Sequence, residues 1–146
     1  MRIAGIWHRC DDGVVRPVLV VCVGGPVATT VAETFLIDTG ADRTVFSATL
    51  LNQLGGASSG APAGISLAGI GGTQSFVQVG AVLNLPRDDG GIATVRGDFA
   101  AFTDPTATDF SILGRDVLSH FDVILSRQRD EILLLAPPCR YQVHTS

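Results

Sequence analysis

The tripeptide Asp38-Thr39-Gly40 closes an apolar run, Thr29 to Ile37, that reads as a buried strand. Desolvation of a carboxylate at that position is costly unless something answers its charge, and a glycine two residues on lets the backbone turn tightly against it. Two readings fit the tripeptide alone. One is a carboxylate set up for general acid or base chemistry, the other an Asx-type turn that ends a strand.

Other chemical groups are sparse. All ten basic residues are arginine, which excludes a P-loop, Schiff-base or general-base lysine. Gly56-Ala57-Ser58-Ser59-Gly60 fits the spacing of a serine-hydrolase elbow, but it follows a helical segment and lies in a low-complexity stretch. His8, His120 and Cys10 have no third ligand nearby in sequence, so no metal is expected. Asp11-Asp12 and Asp88-Asp89 read as polar turns. No cofactor is expected either.

The elements that must position Asp38 are short and mostly β. Strands are predicted at Val18–Val23, Thr29–Ile37, Ile65–Ala68, Thr73–Val79, Ala81–Leu85, Ile92–Phe102 and Phe110–Leu113. Val123–Leu125 and Ile132–Leu135 form a last hairpin across 127–130. Ser47–Leu54 reads as a helix with Ser47 as N-cap, and Arg115–His120 holds one or two helical turns. Gly55–Gly64 is a loop of small residues.

Composition narrows the class further. The 146 residues are 46% hydrophobic and 16% charged, enough apolar material for one domain with a core. A net charge of −4 argues against a nucleic-acid surface. The longest apolar stretch, Pro17 to Val23, is too short to span a bilayer, and the polar residues after Met1 come too early for a secretory segment. Three cysteines without metal spacing suit a reducing compartment, so a cytoplasmic protein is expected.

Four blocks, in order, resemble the retropepsins, the aspartic proteases of retroviral type. Residues 16–25 look like the family's first long strand, and 36–45, around Asp38-Thr39-Gly40, like its catalytic loop. Ala68-Gly69-Ile70-Gly71-Gly72 looks like its flap tip. Residues 112–118, beginning Ile112-Leu113-Gly114-Arg115, look like its second glycine turn and helix. The resemblance implies a mostly β, barrel-like acid-protease domain with one or two short helices and a flap hairpin, acting as a symmetric homodimer. It also divides the chain into an extension (1–15), a protease domain (16–121) and a C-terminal hairpin and tail (122–146) that contributes to the dimer interface.

For residues, the resemblance implies the following. Asp38 from each of two subunits forms the catalytic pair, with Thr39 and Gly40 shaping the loop. One carboxylate takes a proton from water while the other donates to the scissile carbonyl, in an extended peptide or protein substrate. Leu36, Ala41, Asp42, Arg43, Leu67, Gly69, Ile70, Gly71, Phe110 and Ile112 contact that substrate. Arg43 favours acidic residues one pocket out. Asp42 pairs with Arg115 in the same subunit, and Arg16 reaches the partner's Asp42. Ala41 stands where pepsin-type enzymes place a hydroxyl residue, so activity is expected in mildly acidic to neutral buffer. A second reading stays open: a retropepsin-like module that binds peptides or dimerises with little turnover.

Overall fold

The computed structural model describes residues 1–26, 29–55, 66–69 and 72–144. Ten strands follow in chain order: β1 (Arg2–Arg9), β2 (Val15–Gly24), β3 (Thr30–Ile37), β4 (Val45–Phe46), β5 (Ser66–Gly69), β6 (Gly72–Pro86), β7 (Ile92–Phe102), β8 (Ser111–Leu113), β9 (Asp122–Ser126) and β10 (Glu131–Leu135). Helix α1 (Ala48–Gln53) follows β4, and the single turn α2 (Arg115–Leu118) follows β8.

The strands form one sheet in the order β5-β6-β7-β4-β8-β3-β2-β1-β10-β9. A further pairing of β2 with β6, Cys22 to Gly24 against Asn84 to Val82, closes six of them into a barrel. Closure removes exposed edges from the part of the sheet that carries Asp38. Leu19, Val21, Val23, Phe35, Ile37, Phe46, Leu83 and Leu113 fill its interior and are almost completely buried. Phe46 anchors the packing, edge-on to Phe35 at 5.9 Å and tilted against Phe99 at 5.4 Å. Each such ring contributes roughly 1.5–3 kcal/mol by leaving water.

Two helical features follow from local sequence. Ser47 caps α1, its Oγ accepting the Leu50 N–H at 3.1 Å. The turn α2 begins at Gly114, where an added Cβ would lie 2.4 Å from the carbonyl carbon and oxygen of Arg43. Glycine is required there by close approach.

Several expectations change. The segment 1–15, read as an extension, supplies β1 to the sheet. Its first half pairs with β10 (Arg2↔Leu135 to Gly5↔Ile132) and its second half with β2 (Ile6↔Val18 to Arg9↔Val15). The β9–β10 hairpin at the start of the tail is tied in by the same strand, and the Trp7 indole N–H lies 3.2 Å from the Ser126 carbonyl and 3.3 Å from that of Glu131. The two strands expected on either side of Gly80 are one, because β6 runs unbroken against β7 from Phe76↔Phe102 to Pro86↔Ile92. Gly80 keeps an extended backbone opposite Asp98, so it ends nothing. Arg115–His120 is helical only to Leu118. The expected loop over 55–64 lies, from residue 56 on, outside the described residues.

Candidate active site

Asp38 sits at the point where β3 leaves the sheet. Its N–H donates to the Leu113 carbonyl at 3.1 Å, extending the parallel pairing of β3 with β8 by one bond. Its Oδ1 accepts the Gly40 N–H at 2.9 Å, and its carbonyl accepts the Ala41 N–H at 3.2 Å. The tripeptide is therefore an Asx turn, and that turn fixes the carboxylate. A Cβ on Gly40 would lie 3.2 Å from the same Oδ1, crowding it. Asp38 is half-buried, while Thr39 and Gly40 are exposed.

Beyond the turn, the start of α2 grips the loop. The Arg115 N–H donates to the Ala41 carbonyl at 2.8 Å, and the Asp116 N–H to the Asp42 carbonyl at 3.2 Å. Asp116 Oδ1 accepts three bonds, from the Thr44 N–H at 2.9 Å, the Thr44 hydroxyl at 2.7 Å and the Val117 N–H at 3.0 Å. Thr44 is fully buried, and its hydroxyl oxygen accepts the Gly114 N–H at 3.0 Å. A second polar knot lies behind. Glu33 Oε1 accepts from the Ser111 hydroxyl at 2.7 Å and the Ser47 hydroxyl at 3.2 Å, and Ser111 Oγ accepts the Ser47 N–H at 2.9 Å. Satisfied networks of this kind hold strands in one arrangement.

Among the charged residues, the Arg115 guanidinium is paired with Asp42, both side chains being mostly exposed. Arg16 is engaged within its own chain: Nη1 and Nη2 donate to the two carboxylate oxygens of Asp12 at 2.9 and 2.7 Å. That fork, with help from the Val14 N–H, holds the Asp12 carboxyl down at about 2. Arg43 is exposed.

Leu36 and Ile112 are cross-strand partners and both half-buried; Ile112 also packs on Val45, Phe76, Ala100 and Phe102. Phe110 is half-buried and meets the His8 ring edge-on at 5.9 Å. Leu67 and Gly69 belong to β5, whose backbone pairs Leu67 with Gln74 and Gly69 with Gly72. Ile70 and Gly71 lie outside the described residues.

Sequence reasoning assigned no site role to Thr44, Asp116, Glu33, Ser111, Asp12 or His8. Glu33 was the detectable one, since an acid inside an apolar strand needs donors. Among the described residues no three His, Cys, Asp or Glu side chains converge to hold a metal. Among the described residues no helix is long and apolar enough to cross a membrane. A cavity of about 470 Å³ beside Arg2, Arg87, Leu133 and Tyr141 contains none of the residues around Asp38.

Residues 14–126 match the retroviral aspartyl protease family, well over half of the chain. Among solved structures, the EIAV protease complexed with the inhibitor HBY-793 is 24% identical, with a TM-score of 0.54 over 71% of this chain and 86% of that one. A retropepsin-like aspartic protease from Rickettsia conorii is 16% identical, with a TM-score of 0.59 over 92% of this chain and 88% of that one. Both are likenesses of fold. Curated proteins provide no match. On the family match, with the same mostly β fold in both neighbours, this chain belongs to the retroviral aspartyl protease family.

Proposed function

We propose that the chain is an aspartic endopeptidase that works as a homodimer, cleaving extended peptides with Asp38 from each subunit. The observation that carries this is the Asp38 turn. A half-buried carboxylate, fixed by the Gly40 N–H, stands at the end of β3 beside the apolar pair Leu36 and Ile112, inside a segment that matches the family. The chain has a single Asp-Thr-Gly, so a two-carboxylate reaction draws the second group from another copy across a twofold axis.

In the proposed reaction one Asp38 is ionised and takes a proton from the attacking water. The other is protonated and donates to the scissile carbonyl as negative charge grows on its oxygen. Two like charges at close range disfavour double ionisation, which keeps one proton on the pair. Leu36, Phe110 and Ile112 receive apolar side chains beside the scissile bond, and the β5–β6 hairpin closes over the peptide. Thr39 holds the two loops together across the axis.

A second reading, a peptide-binding or dimerisation module with little turnover, is favoured by one observation. Arg16, expected to bridge to the partner's Asp42, is already bound by Asp12 of its own chain. The test incubates wild type and Asp38→Asn with a diverse peptide library from about pH 4 to about pH 7, reading cleavage by mass spectrometry. Cleavage by wild type alone supports the endopeptidase. Binding without cleavage by either protein supports the module.

A further inference from the structure

The sheet has a second face, opposite the barrel interior, and its registers align a row of side chains across it. Ile6 pairs with Val18, Val18 with Leu36, Leu36 with Ile112, Ile112 with Val45, and Val45 with Ala100. Directly paired residues share a face, so the row crosses six strands on one side of the sheet. Asp38 lies two residues beyond Leu36, next to the middle of this row. At one end Phe76 and Phe102 cover Val45 and Ala100. At the other, Ile6 stands 56% exposed on β1.

His8 is two residues beyond Ile6 and therefore on the same face. Its ring meets the ring of Phe110, which immediately precedes β8, at 5.9 Å and 80°. In the sheet β1 and β8 are separated by β2 and β3. The rings therefore meet across the strip of β2 and β3 that separates β1 from β8. Val18 in that strip is fully buried, although it points away from the barrel interior. The strand that carries His8 is itself fixed. The Trp7 indole ties it to the β9–β10 hairpin, and a Cβ on Gly5 would lie 2.7 Å from the Val18 carbonyl oxygen.

We infer that β1 supplies a wall of the peptide cleft: His8, held against Phe110, and Ile6 bound a pocket for an apolar side chain of limited size, beside the pocket of Leu36 and Ile112. His8 is thereby a specificity-determining residue. The inference rests on this face being a peptide site, as proposed above.

The test offers one peptide library to two backgrounds. Cleavage is read with active Asp38, and retention of intact peptides with Asp38→Asn, each with and without His8→Ala. Phe110→Ala is made in parallel. Removing the His8 ring is expected to enrich larger apolar side chains at one peptide position by about tenfold, with the other positions unchanged. Phe110→Ala is expected to move the same position, and His8→Phe, which keeps an edge-on ring, to retain the wild-type preference. An unchanged preference, or a uniform weakening over all peptides, overturns the pocket and gives β1 a purely structural role. Binding without cleavage refutes the endopeptidase while the shifted position still decides the pocket. No binding and no cleavage by any of these proteins overturns both.

Discussion

Thr44 and Asp116, 72 residues apart in sequence, are joined twice: the Thr44 N–H and its hydroxyl both donate to Asp116 Oδ1, at 2.9 and 2.7 Å. The same hydroxyl accepts the Gly114 N–H. One buried side chain thus fastens the end of the Asp38 loop to the start of α2. Thr44→Val keeps the shape but leaves the Gly114 N–H without its acceptor. The expected cost is about 1–3 kcal/mol, read as a lower urea midpoint with an unchanged slope. An unchanged midpoint would show that the loop does not depend on this knot.

Gly5 marks the place where β1 passes from β10 to β2. A methyl group there would meet Ile132 Cγ2 and the Val18 carbonyl oxygen, each at 2.7 Å, and the second of these is backbone. Gly5→Ala is expected to destabilise the chain by about 1–3 kcal/mol through forced separation of β1 from β2. Thermal unfolding measures it. Wild-type stability would mean that β1 can shift freely.

Asp12 carries one pH dependence of the fold. Its carboxyl is lowered from 3.8 to about 2, first by the hydrogen bond from Arg16 and then by the Val14 N–H. A folded value below the unfolded one means that the contribution is fully present above 3.8 and is lost as pH falls towards 2. Titration of Asp12 by carbonyl-detected NMR is expected to give a midpoint near 2 in wild type and a higher one in Arg16→Ala. Equal midpoints in the two proteins would refute Arg16 as the main cause.

The fork between Arg16 and Asp12 also sets up a competition. An Arg16 that turned its Nη fork to Asp42 of another copy would give up its fork with Asp12. Asp12→Asn is therefore expected to tighten the dimer and Arg16→Ala to weaken it, in sedimentation equilibrium over a range of concentrations. Opposite or absent shifts would remove Arg16 from the interface.

The parts legible in the sequence are those written locally. β7 runs over Ile92–Phe102, the bounds expected from the sequence. Ser47 caps α1, and the last hairpin lies where two short apolar runs flank polar residues. β1 was not legible because its two halves pair with different strands, and Arg2, His8 and Arg9 give it no apolar alternation. At the candidate site, Asp38 and Gly40 announce themselves through one local turn. Thr44, Asp116, Glu33 and Ser111 act through partners 14 to 78 positions away, and nothing in a single sequence pairs them. His8 escaped for the same reason, since its partner Phe110 is distant in sequence.

Sharing of the Asp38 pair between two chains is tested most directly by mixing. Wild type is held well above its dimerisation constant, Asp38→Asn is added, and peptide cleavage is followed by mass spectrometry. Random exchange places many wild-type chains in mixed dimers with one aspartate, so the rate is expected to fall to roughly half at equal amounts and further with excess. A rate that stays constant as Asp38→Asn is added would contradict a site built from both chains.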